Sequence, residues 1–341
     1  MTLTERQLIC TRPFDWCEIH PGGTVFLCCP SWLKRPLGNI LKQDIDALWN
    51  GAVAREIRKS ILNHSFHNCN RKRCPFLSTE KGPVGPVNSV QRPDIRSVIE
   101  HQQDQIDFRP RRLNLCFDHS CNLACPSCRP SRRKASGEEL KNCQAVADRL
   151  IEQLLPGAEE ITLSGFGDPF GSPTYLHLLR YLNLRESPPA LRLHTNAQLW
   201  TEQLWNSLPG LHPCVREAEV SIDAATAETY ALNRPGGFFS RLLTNLDYLS
   251  QQDFPLTLSM VVQANNYREI PAFIELAEKY AAMIYFSKLV NWGNYTQADY
   301  KYRAVHLPGH PYHSEFRSIL TRAASHPRVK VGNLHSFIIK G

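Results

Sequence analysis

The sequence predicts an α/β fold, a partial (β/α)6 barrel preceded by a small cysteine-containing domain. From Arg112 onward, short apolar runs alternate with stretches of helical periodicity, which is the pattern of repeated βα units around a parallel sheet. Cysteines in separated segments near the amino terminus indicate a metal-binding unit there. The 341 residues suffice for two unequal domains. The predicted segments are a cluster domain over 1–80, a linker over 81–111, the barrel over 112–290 and a carboxyl-terminal cover over 291–341.

The composition argues against several classes of protein. No apolar run approaches the roughly 18 residues of a membrane span, and the first 16 residues lack the basic start and apolar core of a signal peptide. The twelve cysteines are clustered, and the chain is too long for a disulfide scaffold, which favours metal binding. The net charge of +7 is modest, and the basic clusters lack interleaved aromatic residues, which favours solvated loops over nucleic-acid binding. We expect a soluble, cytoplasmic protein with no membrane or nucleic-acid partner.

The first 80 residues contain a candidate site with four thiolates. Its predicted ligands are Cys17, Cys28, Cys69 and Cys74. Gly23 stands before Cys28 in a Gly-x4-Cys spacing, and the apolar residues of 45–61 have helical spacing, so that a helix would pack on the preceding hairpin. Four cysteines form a closed site that either zinc or an iron-sulfur cluster could occupy. The adjacent Cys29 would point to the opposite face of a strand and is interpreted as a core thiol.

Two segments are predicted to be less regular. Residues 78–112 are polar and contain several prolines, which indicates a linker with a short helix over 95–105. Beyond residue 290 the chain is rich in aromatic residues and is interpreted as a cover over the open edge of the barrel. His310 and His313 have a metal-like spacing there, but no carboxylate or cysteine partner is fixed, and we assign no metal to them.

Six strands are predicted for the barrel, which is TIM-like in having parallel strands that alternate with helices. They are predicted over 113–117, 160–164, 191–194, 217–222, 256–262 and 283–286. Helices over 138–155 and 269–280 each have one apolar face. Because parallel barrels place ligands at the carboxyl ends of their strands, the residues that follow these strands form the candidate site.

The segment after the first strand contains a Cys-x3-Cys-x2-Cys array. Its members are Cys121, Cys125 and Cys128. Structural zinc normally takes four protein ligands, whereas a 4Fe-4S cluster held by three cysteines has one iron free to bind something else. The array therefore indicates a reactive cluster. The alternative is a zinc knuckle with a distant fourth ligand, for which His119 and Cys116 are the nearest candidates.

This array resembles the cluster motif of the radical S-adenosylmethionine (SAM) superfamily. In that superfamily SAM chelates the fourth iron of the cluster, and one-electron reduction splits SAM into methionine and a 5'-deoxyadenosyl radical. The sequence departs from the family at Ser127, where an aromatic residue is usual. The resemblance continues at the later strand ends, where a Gly-Phe-Gly-Asp-Pro turn, a Thr-Asn pair, a Ser-x-Asp and a Gln follow in order. The SAM contacts that the resemblance implies are Gly165, Phe166, Gly167, Asp168, Asn196, Ser221, Asp223 and Gln263.

The amino-terminal cysteines resemble those of SPASM domains and of their shortened twitch form, which bind auxiliary clusters. The common features are Cys17, the Gly-x4-Cys spacing, a Leu-Gly-Asn-Ile segment followed by a Trp-Asn pair, and the two late cysteines. Such domains ordinarily follow the radical SAM barrel, whereas here the unit precedes it. The resemblance implies that the four predicted cysteines hold a second 4Fe-4S cluster.

The resemblance implies a radical SAM oxidoreductase that abstracts a hydrogen atom from its substrate. Its cofactors would be SAM and two 4Fe-4S clusters, and its electron donor a flavodoxin or ferredoxin. We rank modification of a ribosomally made peptide first, with a separate peptide-recognition protein as a possible partner. Oxidation or epimerisation of a sugar or cyclitol is second, and an epimerase would need a hydrogen donor, for which Cys116 is the candidate. A competing class is a non-catalytic zinc-binding adaptor, in which the Gly-Asp-Pro turn would have no purpose.

Overall fold

Strands and helices alternate along the chain of the computed structural model, which describes residues 8–163 and 166–339. The elements belong to two units. Unit 1 holds the residues up to 118 together with 135–166, and unit 2 holds 119–134 together with the residues from 167 onward. Both units are mixed α/β, as the sequence predicts for this fold class; the strands of unit 2 are parallel, whereas unit 1 combines parallel and antiparallel pairs. No helix in the described part of the chain is long and apolar enough to cross a membrane.

Unit 1 contains seven strands and six helices among its described residues. The strands are β1 Leu8–Cys10, β2 Trp16–His20, β3 Thr24–Phe26, β4 Gly38–Asn39, β5 Val84–Pro86, β6 Arg112–Leu115 and β7 Glu160–Leu163. The helices are α1 Arg12–Asp15, α2 Ile45–Trp49, α3 Ala52–Leu62, α4 Pro75–Thr79, α5 Pro93–Glu100 and α6 Gly137–Gln153. The main sheet has the order β4-β3-β2-β6-β7, in which β2, β6 and β7 are parallel and the β2-β3-β4 part is antiparallel.

The amino-terminal strands are thus continuous with the first barrel strand. Trp16 of β2 pairs with Arg112 of β6, and Ile19 pairs with Leu115. Strand β6 alternates buried and half-buried residues, with Leu113 and Leu115 fully buried on one face. This period of two is what a strand with one core-facing side requires.

Unit 2 contains five strands and seven helices in the part of the chain that is described. The strands are β8 Ala190–Thr195, β9 Val215–Ser221, β10 Leu256–Val262, β11 Met283–Lys288 and β12 Val329–Val331. The helices are α7 Pro173–Asn183, α8 Glu202–Asn206, α9 Ala227–Asn233, α10 Phe239–Leu249, α11 Ile270–Lys279, α12 Gln297–Arg303 and α13 His313–Ala324. All five strands are parallel, in the order β12-β11-β10-β9-β8.

Capping residues explain where several helices of unit 2 begin. A Ser or Thr side chain accepts a hydrogen bond from the backbone N–H three residues later at the start of four helices, at Ser172, Thr201, Thr226 and Thr296. Such a cap satisfies one of the amides that a helix start leaves unpaired and typically contributes about 1 kcal/mol. These caps come directly after loops, so they fix where each loop ends.

The six predicted barrel strands all form, within two residues of their predicted bounds. The predicted helix over 45–61 instead forms as α2 and α3, because Gly51 has an extended backbone and a side chain there would press on the carbonyl oxygen of Ala47 at 2.8 Å. The predicted linker over 81–111 contains the short strand β5 and also α5, which lies where a short helix over 95–105 is predicted. It is held in unit 1 by the pairing of β5 with β1 and by a 2.8 Å hydrogen bond from Trp49 Nε1 to the carbonyl of Phe108.

Candidate functional site

The cysteine array lies on one loop of unit 2, residues 119–134, and backbone hydrogen bonds fix that loop at several points. The amide of Cys121 donates to the carbonyl of Arg133 at 2.7 Å, which closes the loop on itself. The amide of Ala124 donates to the carbonyl of Pro235 at 3.0 Å, in the turn after α9. The three cysteines are therefore carried by a loop of defined shape, at the carboxyl side of β6 as the sequence predicts.

Each sulfur of the array faces a nitrogen donor from a different place in unit 2. The donors are Asn196 Nδ2 for Cys121 (3.7 Å), Arg234 for Cys125 (3.6 Å) and Arg129 for Cys128 (3.4 Å). Donors to sulfur, two of them cationic, stabilise thiolates and the sulfur-rich surface of an iron-sulfur cluster. Three soft thiolate ligands with such donors suit a 4Fe-4S cluster.

Burial and charge act in opposite directions on these thiols. Burial raises the pKa of Cys121 to about 11, and the charge of Asp168 adds to the shift. Burial also raises the pKa of Cys125, whereas the charge of Arg234 lowers it. Without a metal Cys121 and Cys125 keep their protons at neutral pH, so cluster binding must release them.

Asp168 fixes the turn after β7 to the end of β8. Its Oδ2 accepts from the Thr195 hydroxyl and from the Asn196 amide, both at 2.8 Å, and its Oδ1 accepts from the amides of Phe170 and Gly171 at 3.0 and 3.1 Å. The side chain is buried, and burial raises the pKa of its carboxyl while these hydrogen bonds lower it. Both carboxylate oxygens are thus engaged by the protein. These hydrogen bonds give Asp168 a positioning role, and its predicted contact with SAM stays a prediction.

Arg234 links the end of β9 to the array. Its guanidinium lies 2.8 Å from Asp223 Oδ2 and also reaches Cys125, and Asp223 Oδ1 accepts from the amide of Val261 at 2.7 Å. Burial raises the pKa of Asp223, and the charge of Arg234 lowers it. Asp223 has a φ of 61°, a left-handed conformation that a non-glycine residue adopts at a cost. The predicted site residue Asp223 therefore holds the arginine that contacts the cluster loop.

The other predicted SAM contacts are placed as follows. Asn196 lies at the array, where its side chain also donates to Asn122 Oδ1 at 3.0 Å. Ser221 lies at the end of β9, with Ser259 Oγ at 3.3 Å, and Gln263 follows β10. Gly165 lies outside the described residues, Phe166 belongs to unit 1, and Gly167 has a φ of 85° in the Asp-Pro turn.

Several buried polar atoms of unit 2 have no hydrogen-bond partner among the described residues. They include Gln263 Oε1, Arg234 Nε, Asn294 Oδ1 and the Tyr295 hydroxyl. The charges of Asp223 and Cys125 both act on Tyr295, which places its phenol close to the array. Asn294 Nδ2 donates to the carbonyl of Pro126, between two of the array cysteines. Buried groups of this kind are normally satisfied, so they fit a polar ligand such as SAM.

Residues that the sequence did not predict complete this site. Arg234 precedes a Pro-Gly-Gly turn, and Arg129 follows Cys128 directly, within the basic cluster that was interpreted as solvated charge. Asn294 and Tyr295 lie in the segment that was interpreted as a cover. The sequence offered only weak signals for these arginines: Arg129 adjoins a cysteine and Arg234 precedes a glycine turn. Both arrangements are common in loops and do not by themselves indicate a site.

A second group of thiols lies in unit 1. Burial raises the pKa of the Cys10 thiol, and the charges of Cys28 and Cys69 raise it further. Burial raises the pKa of Cys69 to about 12, with the charges of Cys28 and Cys74 adding to it. These four thiols therefore act on one another. Cys28 Sγ also accepts hydrogen bonds from Trp32 Nε1 at 3.1 Å and from Arg12 at 3.6 Å.

Cys17, the predicted fourth ligand, is not part of this group. The charge that acts on its buried thiol is that of Glu18, and no other thiol contributes among the described residues. Successive side chains of a strand point to opposite faces. Arg12, which donates to Cys28, also contacts the two neighbours of Cys17 on β2. Its guanidinium lies 4.2 Å from the Trp16 ring and 3.7 Å from Glu18, so these two side chains take the face of β2 that is turned towards Cys28. Cys17 points to the other face of β2, and Cys10 takes its place in the group.

Two family models match the segments of the chain that contain these two thiol groups. Residues 10–75 match the family model for the SPASM iron-sulfur cluster-binding domain, and residues 117–277 match that for the radical SAM superfamily. The mycofactocin maturase MftC of Mycobacterium ulcerans is 28% identical over 195 residues, 56% of this chain and 50% of that protein. The GTP 3',8-cyclase of Synechocystis sp. is 27% identical over 192 residues, 56% of this chain and 57% of that protein. The chain thus aligns with about half the length of these curated relatives.

Solved structures also align with this chain. Streptococcus suis SuiB bound to the precursor peptide SuiA gives a TM-score of 0.45 at 13% identity, covering 88% of this chain and 66% of SuiB. A radical SAM domain uses SAM and a 4Fe-4S cluster, and a SPASM domain binds additional iron-sulfur clusters. The chain thus contains a radical SAM domain over 117–277, and a SPASM domain over 10–75 precedes it.

Proposed function

We propose that this protein cleaves SAM reductively and uses the resulting radical to abstract a hydrogen atom from its substrate. The observation that carries the proposal is the loop of Cys121, Cys125 and Cys128, in which each sulfur faces its own nitrogen donor. The cluster, when bound, supplies the electron that splits SAM, and its fourth iron is open to SAM.

The protein's own residues would position and shield this chemistry. Arg234 and Arg129 place positive charge beside two of the three sulfurs, which favours the thiolate form and the negatively charged reduced state of a cluster. Asp168 holds the turn after β7 against Asn196, so that backbone amides and carbonyls at the strand ends keep fixed positions. Gln263 and Tyr295 offer buried polar atoms to SAM or to the substrate.

The second proposed cluster is held by Cys10, Cys28, Cys69 and Cys74. Four thiolates close the coordination of a 4Fe-4S cluster and leave no iron for the substrate. The cluster would therefore accept an electron from a product radical, relay electrons or stabilise unit 1. The hydrogen bonds from Trp32 and Arg12 to Cys28 suit any of these roles, because they stabilise the ligand sulfur.

A peptide is the proposed substrate. The alignment with mycofactocin maturases favours a maturation reaction. A cavity of about 660 Å³ beside the end of β10 is lined in part by Asn265, Lys301, Arg303 and His310. Its basic side chains suit a substrate with carboxylate groups, such as an acidic stretch of peptide. The cavity also contains the rings of Tyr302 and Tyr312, which offer apolar surface to a peptide side chain.

Anaerobic reconstitution followed by a SAM cleavage assay tests the proposed function. With dithionite and SAM, the wild-type protein should form 5'-deoxyadenosine, and the variant with Cys121, Cys125 and Cys128 all changed to Ala should form none. The matched control is Cys214→Ala, which removes a half-buried thiol far from the array in sequence. If the triple variant still forms 5'-deoxyadenosine, the array does not hold the cluster that cleaves SAM.

A further inference from the structure

Three side chains of different chemistry lie together in unit 1, and none of them is a cysteine of the two thiol groups already described. Ligand atoms of Glu18, His20 and Cys116 all lie within 4.8 Å of one another. The three residues are only 3%, 9% and 4% exposed. A carboxylate, an imidazole and a thiol are thus collected in a site from which water is largely excluded.

The pairing of β2 with β6 produces this arrangement. Glu18 and His20 are two residues apart on β2 and therefore share one face of the sheet. Ile19 pairs with Leu115 in the parallel ladder, so that the next residues, His20 and Cys116, lie side by side. The Cys116 amide donates to the Ile19 carbonyl at 2.8 Å, which fixes this register just beyond the end of β6.

The charge of Glu18 is only partly balanced by the protein. Its carboxylate accepts from Trp16 Nε1 at 3.0 Å and lies 3.1 Å from His20 Nε2. The nearest permanent cation, Arg12, is 3.7 Å away, which is too far for a hydrogen bond. A buried carboxylate is costly unless a cation lies close to it.

We propose that Glu18, His20 and Cys116 bind a zinc ion. Two ligands that bind one zinc at about 2.0–2.3 Å each lie at most ~4.6 Å apart. The three ligand atoms lie within 4.8 Å of one another, so side-chain movements of a few tenths of an ångström bring all of them within reach of a single ion. Sulfur, nitrogen and oxygen together are a donor set that zinc accepts. Three protein ligands leave a fourth position for water or for a substrate group, as in catalytic zinc sites.

Zinc at this site changes the role of Cys116. A metal-bound thiolate carries no S–H bond, so Cys116 is a ligand here and is not the hydrogen donor that the sequence suggested as a candidate. The zinc site depends neither on the SAM cluster nor on the auxiliary cluster, because it uses none of their cysteines.

Metal content and the zinc X-ray absorption edge test the proposal on the iron-loaded enzyme. Zinc can enter empty cluster sites, so both clusters are filled first, and the protein is then equilibrated with zinc and desalted. We expect about one zinc per chain, with about one sulfur at ~2.3 Å and the other ligands nitrogen or oxygen at ~2.0–2.2 Å. A shell of sulfur alone would place the zinc in a cluster site and overturn the proposal, as would iron-loaded protein that binds no zinc.

Three variants assign the ligands. Cys116→Ala and Glu18→Gln should each lose the zinc while iron and sulfide stay at the wild-type level. Glu18→Gln keeps the shape of the side chain and the hydrogen bond from Trp16, so it addresses the possibility that Cys116→Ala fails to fold. Cys17→Ala is the matched control. It removes a buried thiol from β2, the strand of Glu18 and His20, but from the opposite face, and it should keep the zinc. Zinc that persists in both Cys116→Ala and Glu18→Gln would show that these residues do not bind it.

Discussion

Replacing Cys10 and Cys17 one at a time gives the sharpest test of the auxiliary site. Cys10 and Cys17 are seven residues apart, Cys10 half-buried and Cys17 buried, yet only the Cys10 thiol is acted on by Cys28 and Cys69. Cys10→Ala should therefore remove one ligand of the auxiliary cluster, whereas Cys17→Ala should leave all four in place.

The expected magnitudes follow from the two environments. With the array cysteines Cys121, Cys125 and Cys128 changed to Ala, only the auxiliary cluster remains, and the reconstituted protein should contain about four irons. Adding Cys17→Ala should leave about four irons and cost about 1 kcal/mol of folding free energy, as for the loss of a small buried group. Adding Cys10→Ala should lower the iron content well below four and destabilise unit 1, because cluster binding contributes to its folding.

Iron and sulfide analysis after anaerobic reconstitution measures the cluster, and urea unfolding followed by far-UV circular dichroism measures stability. A Cys17→Ala protein that loses its iron while Cys10→Ala keeps it would refute the assignment, and with it the argument from the alternation of β2. A Cys29→Ala variant serves as a further control, because that half-exposed thiol neighbours Cys28 and no other thiol acts on it in the described residues.

Three further predictions concern unit 2. Asp168→Asn should lower the free energy of unfolding by about 2–3 kcal/mol, because an amide cannot accept all four hydrogen bonds of the carboxylate; urea unfolding should show no such loss for Asp253→Asn, an exposed carboxylate. Arg234→Lys should keep the iron content but slow SAM cleavage about 10- to 100-fold, the usual effect of losing a partner of a metal ligand, whereas the exposed Arg241→Lys should react at the wild-type rate. Burial lowers the pKa of His306 from 6.5 to about 4, so the unfolded protein binds a proton at this residue between these pH values and the folded protein does not. The stability that His306 contributes is therefore present above pH 6.5 and is lost as the pH falls towards 4. The melting temperature of wild-type protein should therefore approach that of His306→Asn as the pH is lowered from 7.5 to 5.5, and parallel curves would contradict this assignment.

The sequence predicted the elements whose periodicity is strong and local. The run 256–262 forms β10 with the predicted bounds, and the Cys-x3-Cys-x2-Cys spacing located the loop of the first site, because both are set by neighbouring residues. The helix break at Gly51 was missed because the apolar spacing continues through it, while the break depends on the backbone conformation of one glycine.

The missing parts of the site depend on contacts between distant residues. Cys10 and Cys17 both precede the Gly-x4-Cys spacing, but they lie on different strands, β1 and β2, and only the folded structure shows which of them lies with Cys28 and Cys69. Arg234 lies more than a hundred residues from Cys125, and no local pattern connects them. Asp168 was predicted from its place after β7, but its hydrogen bonds with Thr195 and Asn196 could not be predicted, because those residues are distant in the sequence.

The parallel pairing of β2 with β6 has a consequence for how the chain is made. During synthesis β2 can pair with β3 at once, but its other edge has to wait for β6, roughly 100 residues later, which is about 5–20 s at ribosomal rates of ~5–20 residues per second. Over that interval the nascent chain presents an unpaired strand edge that can join another chain. A ribosome-associated chaperone, or early cluster insertion at the amino-terminal cysteines, would protect this edge. Expression under iron limitation should accordingly lower the yield of intact protein before it lowers the activity of the molecules that do fold.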